Sequence, residues 1–331
     1  MNPLRVGILG CGNFANKHAE ITVSFHEQAQ LVAFCDRNEY KAREFEQKYA
    51  PGAAVFTDHV SMFQQAALDA VIICLPPYGH SDEVEYAAKN GIHILIEKPI
   101  ALTSEDAWRM VEVSEQAGVK TQVGFMFRFG EAIERFKALE AAGQTGQIGL
   151  MTARYFCNAL HAPWWRMRDK SGGQVVEQVI HMFDLLRYLV GEPTSVFSRQ
   201  ENLFHQNVPD YTVEDVSATI VSFKQGSLGV IYATNNAIPG QWINDYRIVT
   251  HHLTADFTNA NNALFTHTSQ PNNPVTTIES TKDFRQDLMQ DFINAIRTGG
   301  ETRIPLREGA KSLDLVLAAR RSAESHSEIR L

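Results

Sequence analysis

The chain has 331 residues, 44% of them hydrophobic, enough to bury a large core and to suggest two domains rather than one. Its formal net charge of −8 is spread without any Lys/Arg block, which argues against nucleic-acid partners and an anionic membrane surface. The four cysteines, Cys11, Cys35, Cys74 and Cys157, show no CxxC and no paired spacing, so a disulfide framework and a zinc ribbon are disfavoured and a reducing, cytoplasmic setting is expected.

Apolar runs at 4–10, 29–36, 69–77, 93–99 and 121–127 read as strands, and helical stretches near 13–25, 38–49, 60–67, 79–90 and 103–117 alternate with them. Continuous apolar strands separated by helices predict crossover units, hence a doubly wound parallel sheet covered on both faces. The first strand runs into "GILGCGNFA", which supplies Gly10-x-Gly12-x-x-Ala15 with Asn13 and Phe14 inside the turn. Glycines here let backbone N–H groups approach a pyrophosphate, the helix start adds positive potential, and Ala15 permits close packing of helix on sheet. Asp36 closes the second strand at the separation where a carboxylate meets an adenosine ribose. The strand–turn–helix setting therefore favours a dinucleotide over a simple tight turn. Asp36 favours NAD, whereas Arg37 leaves NADP open through pairing with a 2′-phosphate.

Ligands in such a sheet lie at the carboxyl ends of the strands, so "CLPPYGH" (74–80), with Leu75, Pro76 and His80, and "EKP" (97–99) face one crevice. In "HILIEKPIA" an apolar strand runs directly into Glu97 and Lys98. Lysine at that strand end can hydrogen-bond a substrate hydroxyl or carbonyl oxygen. The competing reading is an ordinary Glu–Lys pair at a sheet rim.

Near residues 121–128 the rhythm changes, giving an expected division into 1–124 and 125–331. "SGGQVVEQVIHMFDLLRYLVGEP" predicts a helix over 174–190, started by Ser171 with two glycines and ended by Gly191 and Pro193. It is apolar around most of its circumference, yet Glu177, His181 and Asp184 recur four and three residues apart, on one face. Three ionisable groups on a buried helix need a cavity or one another. A metal site lacks a second histidine pair, so none is expected; an acid–base role for His181, oriented by Glu177, competes with an internally satisfied network. Just before this helix, Trp165 suits the C–H face of a sugar or cyclitol or else a core, and Arg166 suits hydroxyls or a carboxylate.

The runs "TVEDVSATIVSF", "SLGVIYATN", "NDYRIVTHHLTADF" and "ALFTHTS" predict antiparallel strands, 269–277 a surface loop, and 282–300 and 307–325 two closing helices. The second domain is therefore expected to be α+β. His205, His251, His252 and His267 lack ligand spacing and read as structural.

Taken together, GxGxxA at 10–15, Asp36, "LPPYGH", "EKP", "VGFMFRF" at 123–129 and the 172–193 segment resemble the Gfo/Idh/MocA family of NAD(P)-dependent oxidoreductases. The resemblance implies a Rossmann domain, a second domain built on an open, mainly antiparallel sheet, and homo-oligomers, dimer or tetramer, formed through that sheet. It also implies Lys98 and His181 as catalytic residues, His80 and Glu97 beside the nicotinamide, and Arg128, with Asp184, at the substrate. Glu177 departs from the Asp that many members carry. The expected activity is hydride transfer between NAD(P) and a carbinol or carbonyl carbon of a sugar, sugar derivative or cyclitol. Two alternatives remain: an NAD-dependent glycosidase on the same scaffold and a non-catalytic nucleotide sensor.

Overall fold

A computed structural model describes residues 2–331. In chain order the elements are β1 (Leu4–Leu9), α1 (Ala15–Ser24), β2 (Ala29–Cys35), α2 (Glu39–Tyr49), β3 (Ala54–Phe56), α3 (His59–Gln65), β4 (Ala70–Ile73), α4 (Glu83–Lys89), β5 (His93–Ile96), α5 (Ser104–Ala117) and β6 (Thr121–Val123). There follow α6 (Glu131–Ala141), β7 (Ile148–Phe156), α7 (Arg168–Ser171), a π-helical turn (Val175–Val179), α8 (Ile180–Val190), β8 (Pro193–Glu201), β9 (Val216–Phe223), β10 (Leu228–Thr234), β11 (Tyr246–Thr250), β12 (Thr254–Phe257), β13 (Ala263–Thr266), β14 (Val275–Ile278), α9 (Phe284–Thr298), α10 (Leu306–Ser325) and β15 (Ile329–Arg330).

The chain divides into two compact units, residues 1–124 with 285–310, and 125–284 with 311–331. The stretch 285–310, expected with the second domain, is thus part of the first. The Gln122 side chain donates to Asp291, the Val123 N–H to Ile304 O and the Arg297 guanidinium to Gln28 O.

The first unit holds a six-stranded parallel sheet in the order β3-β2-β1-β4-β5-β6. The order reverses between β1 and β4, the point at which a doubly wound sheet sends its crossover helices to opposite faces. Every residue of β4 and β6 is buried, as a two-sided sheet requires. Helix starts are set locally: Asn38, Asp58 and Thr103 accept from the backbone N–H of Tyr40, Ser61 and Asp106, and Gly118 in the left-handed region ends α5.

The second unit carries a nine-stranded sheet, β14-β13-β12-β11-β7-β10-β9-β8-β15, antiparallel except where β7 meets β10. The run expected as one strand over 244–257 is the hairpin β11–β12, and β14 occupies part of the expected loop at 269–277. One face of the sheet is core: Met151, Val221, Ile231, Ile248, Ala255 and Phe265 are buried. There α8 packs so closely that a Cβ on Gly229 would stand 2.6 Å from Leu186. The opposite face is exposed and apolar, with Phe197, Ile220, Leu228, Tyr232, Val249 and Leu264 at its surface. Among the described residues no helix is long and apolar enough to cross a membrane.

Gly130 shows how the second unit begins. The N–H groups of Ala132 and Ile133, at the start of α6, donate to Ala260 O, and a Cβ on Gly130 would lie 2.2 Å from that oxygen. Gly130→Ala is expected to lower stability by about 2 kcal/mol or more, read from urea unfolding. Gly149→Ala, whose Cβ would meet nothing nearer than 3.7 Å, should stay within about 0.5 kcal/mol.

Candidate functional site

In the first unit the carboxyl ends of β1, β2, β4 and β5 define the site. Gly10 has φ 89°, and a Cβ on it would stand 2.6 Å from Cys74 O, so glycine alone lets the β1 and β4 ends approach this closely. Gly12 differs: a Cβ there would meet nothing within 4 Å, which leaves open space above the turn. Asn13 and Phe14 face solvent and Ala15 is fully buried. Asp36 Oδ2 accepts from Cys11 N at 3.0 Å and Oδ1 from Asn38 N at 2.8 Å, so this carboxylate fixes the glycine turn to the β2 end and keeps lone pairs for ligand hydroxyls. Arg37 beside it is exposed and makes no hydrogen bond or ion pair among the described residues.

After β4, Leu75 and Pro76 lead into a 3₁₀ turn (Pro77–Gly79) and then His80. His80 Nδ1 donates to Glu83 Oε1 at 2.5 Å, and Glu83 Oε2 accepts from Ser81 N at 2.7 Å. Burial by itself would raise the Glu83 carboxyl, but the His80 hydrogen bond and charge outweigh it and hold that carboxyl below the usual carboxylate range. His80 Nε2 is buried without a hydrogen-bond partner. An open glycine turn, a carboxylate held at the β2 end and an orphaned ring nitrogen fit a dinucleotide.

Glu97 is buried, and its partner is His18: Oε1 lies 2.7 Å from His18 Nε2. Its other oxygen accepts from Lys98 N at 3.3 Å. Lys98 is half-buried, and its peptide bond to Pro99 is cis. The thiols of Cys11, Cys35 and Cys74 lie at these strand ends. Burial, reinforced by Asp36 for Cys11, by Asp58 for Cys35 and by Glu97 for Cys74, pushes all three up, Cys35 to about 12.

In the second unit the three acid–base candidates reach three different sets of groups. Glu177 lies in the π-helical turn and accepts from Trp165 Nε1 at 2.8 Å. His181 is buried against the rings of Phe127, at 4.9 Å, and Phe125, at 5.9 Å. Asp184 accepts both arms of Arg128, at 2.6 and 2.8 Å, and the Ser312 hydroxyl at 2.9 Å. Arg128 and Asp184, expected at the substrate, neutralise each other in the core. Trp165 is buried with Tyr211 and Val213, and Arg166 is spent on the carbonyls of Leu160 and His161. Ser171 does not cap the helix; the N–H of Val175 donates instead to Glu214 at 2.7 Å. Among the described residues no cluster of three His, Cys, Asp or Glu side chains is arranged to hold a metal ion.

Three contributors escaped the sequence reading: His18, Glu83 and Glu214. Glu83 left a trace in its i+3 spacing from His80. The others are joined to the site by contacts between distant segments, which no local spacing records.

Comparison with known proteins agrees with this geometry. Residues 4–125 match the family model described as oxidoreductase family, NAD-binding Rossmann fold, and residues 133–255 match the GFO/IDH/MocA C-terminal domain. The chain is 28% identical to a myo-inositol 2-dehydrogenase of Thermotoga maritima, over 99% of this chain and 98% of that one. It is 30% identical to a scyllo-inositol 2-dehydrogenase (NAD(+)) of Bacillus subtilis, over 87% and 80%. Among solved structures, the WlbA dehydrogenase of Bordetella pertussis in complex with NADH and UDP-GlcNAcA superposes with a TM-score of 0.86 at 26% identity, covering 99% of both chains. A levoglucosan dehydrogenase bound to NADH and L-sorbose shares the fold, with a TM-score of 0.90 at 21% identity over 100% and 99% of the chains. With both domains matched and a glycine turn, ribose acid and strand-end lysine in their expected order, the chain belongs to the Gfo/Idh/MocA family of NAD-binding oxidoreductases.

Proposed function

We propose that the protein is a dehydrogenase or reductase that uses NAD in preference to NADP on a CH–OH group of a sugar, sugar derivative or cyclitol. The observation that carries this reading is the cradle at the β1 and β2 ends, where Gly12 leaves space for a pyrophosphate and Asp36 is held ready for a ribose. The inositol dehydrogenases among the relatives supply the substrate class. When bound, the nicotinamide supplies the hydride acceptor or donor. Lys98 holds the substrate oxygen by a charge-assisted hydrogen bond, and His181 takes the hydroxyl proton as the carbinol is oxidised, with Glu177 orienting the imidazole.

The exposed apolar sheet face supports a homo-oligomer, since Phe197 pairs with Ile220 and Val249 with Leu150 across adjacent strands, giving a continuous patch. Free thiols pushed up by burial suit a reducing cytoplasm.

Titration with NAD should separate two kinds of glycine. Gly12→Ala is expected to keep stability within about 0.5 kcal/mol and to weaken NAD binding at least about tenfold, whereas Gly10→Ala should destabilise the fold itself. The wild-type protein should prefer NAD to NADP by about tenfold, and Asp36→Ser should relax that preference; a higher kcat/KM with NADP would refute the weighting of Asp36 over Arg37. Across a panel of polyols and sugars followed by nicotinamide absorbance, Lys98→Met should lower kcat at least ~10²-fold with little change in NAD affinity. In His181→Asn the acidic limb of the oxidation rate should disappear, because that limb reports protonation of the base. Sedimentation of Ile220→Glu should show a smaller species than the wild type; equal sedimentation coefficients would rule the sheet face out as the interface.

A further inference from the structure

We propose that Trp242, backed by His161, is the stacking wall of the substrate site, and that it selects six-membered polyol rings whose hydroxyls are all equatorial. The inference deepens the dehydrogenase reading and rests on it. Trp165 is 2% exposed and has no free face, while Trp164 packs against the same buried cluster. Trp242 is 51% exposed, an unusual position for a ring of this size, and it is not loose. Its Nε1 donates to Tyr155 Oη at 3.3 Å, and its ring meets that of His161 at 5.8 Å in an edge-to-face contact.

His161 in turn joins this wall to the acid–base helix. Its ring lies 4.4 Å from that of Trp165, whose indole N–H is the donor to Glu177, and its Nε2 accepts from Gln178, the next residue along the π-helical turn. His161 also has φ 54°, in the left-handed region that a non-glycine residue avoids, and Arg166 holds its carbonyl there. Backbone strain over-determined by neighbouring contacts is concentrated at ligand sites. The loop bearing Trp242 is fastened as well: Ile243 bridges Phe156, Asn236 bridges Asn158, and Ala237 exchanges bonds with the Cys157 carbonyl and the Asn158 amide. Trp242 is therefore a fixed, half-open aromatic surface in direct succession with His161, Trp165 and Glu177.

The chemistry of such a surface restricts the ring it takes. An all-equatorial six-membered ring presents only axial C–H bonds on each face, and these lie flat against an indole. An axial hydroxyl on the stacked face lifts the ring away and must give up water without finding a hydrogen-bond partner.

The test uses scyllo-inositol, with every hydroxyl equatorial, against myo-inositol, with one axial, and methyl β-D-glucoside against methyl β-D-galactoside. Wild-type kcat/KM is expected to favour the all-equatorial member of each pair. Trp242→Ala should raise its KM about tenfold with a much smaller effect on kcat, Trp242→Phe should fall between, and the preference within each pair should shrink. A Trp242→Ala variant with wild-type KM, or with the epimer preference intact, overturns the proposal. Quenching of tryptophan emission by the same polyols, with NADH bound, tests the wall without turnover: the signal should fade in Trp242→Phe. If every polyol fails to form NADH while quenching still tracks Trp242, the dehydrogenase reading fails and the wall stands; if turnover is normal and quenching ignores Trp242, only the wall fails.

Discussion

A carboxylate sealed at the end of an apolar strand governs the architecture of the first unit. Glu97 terminates β5, and its burial would cost several kcal/mol if it were left without partners. His18 reaches it from α1, and the Lys98 N–H supplies a second contact. Room for it comes from Gly124 at the end of β6, where a Cβ would lie 2.7 Å from the carboxylate. The strand ends and the first helix are thereby locked around one charge. Lys98, the next residue, leaves the sheet in a direction set by this arrangement, and a flexible four-carbon stem starting from so constrained a root has a restricted reach.

The second unit solves a similar problem with a larger network. Arg128 and Asp184 form a two-armed pair that is buried on both sides; Ser312 links Asp184 to Arg187, and Arg187 continues to Glu192 at the protein surface. A single buried pair seldom repays its desolvation, but each added donor satisfies another lone pair, and removing one partner strands a charge at a cost of about 3–5 kcal/mol. Arg128 also stacks over the Tyr188 ring, 4.7 Å from its centre. These charges hold α8 in place, and His181 on the same helix rests against the rings of Phe125 and Phe127.

What the sequence made legible follows from range. The glycine turn, Asp36 and the alternating apolar runs are local signals, and the parallel sheet with its cofactor end could be read from them. β3 has only three residues and β7 carries Arg154 and Gly149 among its apolar positions, so neither announces itself, yet β7 is the strand that joins the two halves of the second sheet. Side-chain roles were hardest. Helical spacing set Glu177, His181 and Asp184 on one stripe, but the π-helical turn changes the register within that stripe, and the partners of each residue come from segments remote in sequence. Trp165 and Trp242 are alike as letters; only packing decides that one is core and the other is surface.

The π-helical turn also explains why the start of the helical segment leading into α8 is built from tertiary contacts. A π turn breaks the regular ladder and leaves its first N–H groups in need of partners, and such turns are frequent at functional sites. Val175 finds its acceptor in Glu214, a buried carboxylate just ahead of β9, where burial raises its pKa and Arg168 offsets this only in part. That carboxylate stands 2.5 Å from where a Cβ of Gly173 would be, at φ 106°, so the glycine is required by the acid and not by helix initiation. A local Ser cap would have tied the first turn to its own neighbours. A carboxylate delivered from the sheet ties it to β9, while the Trp165 indole N–H holds the Glu177 carboxylate. The segment bearing Glu177 and His181 is therefore held by the sheet and the tryptophan core together, so both side chains leave a backbone fixed from two sides.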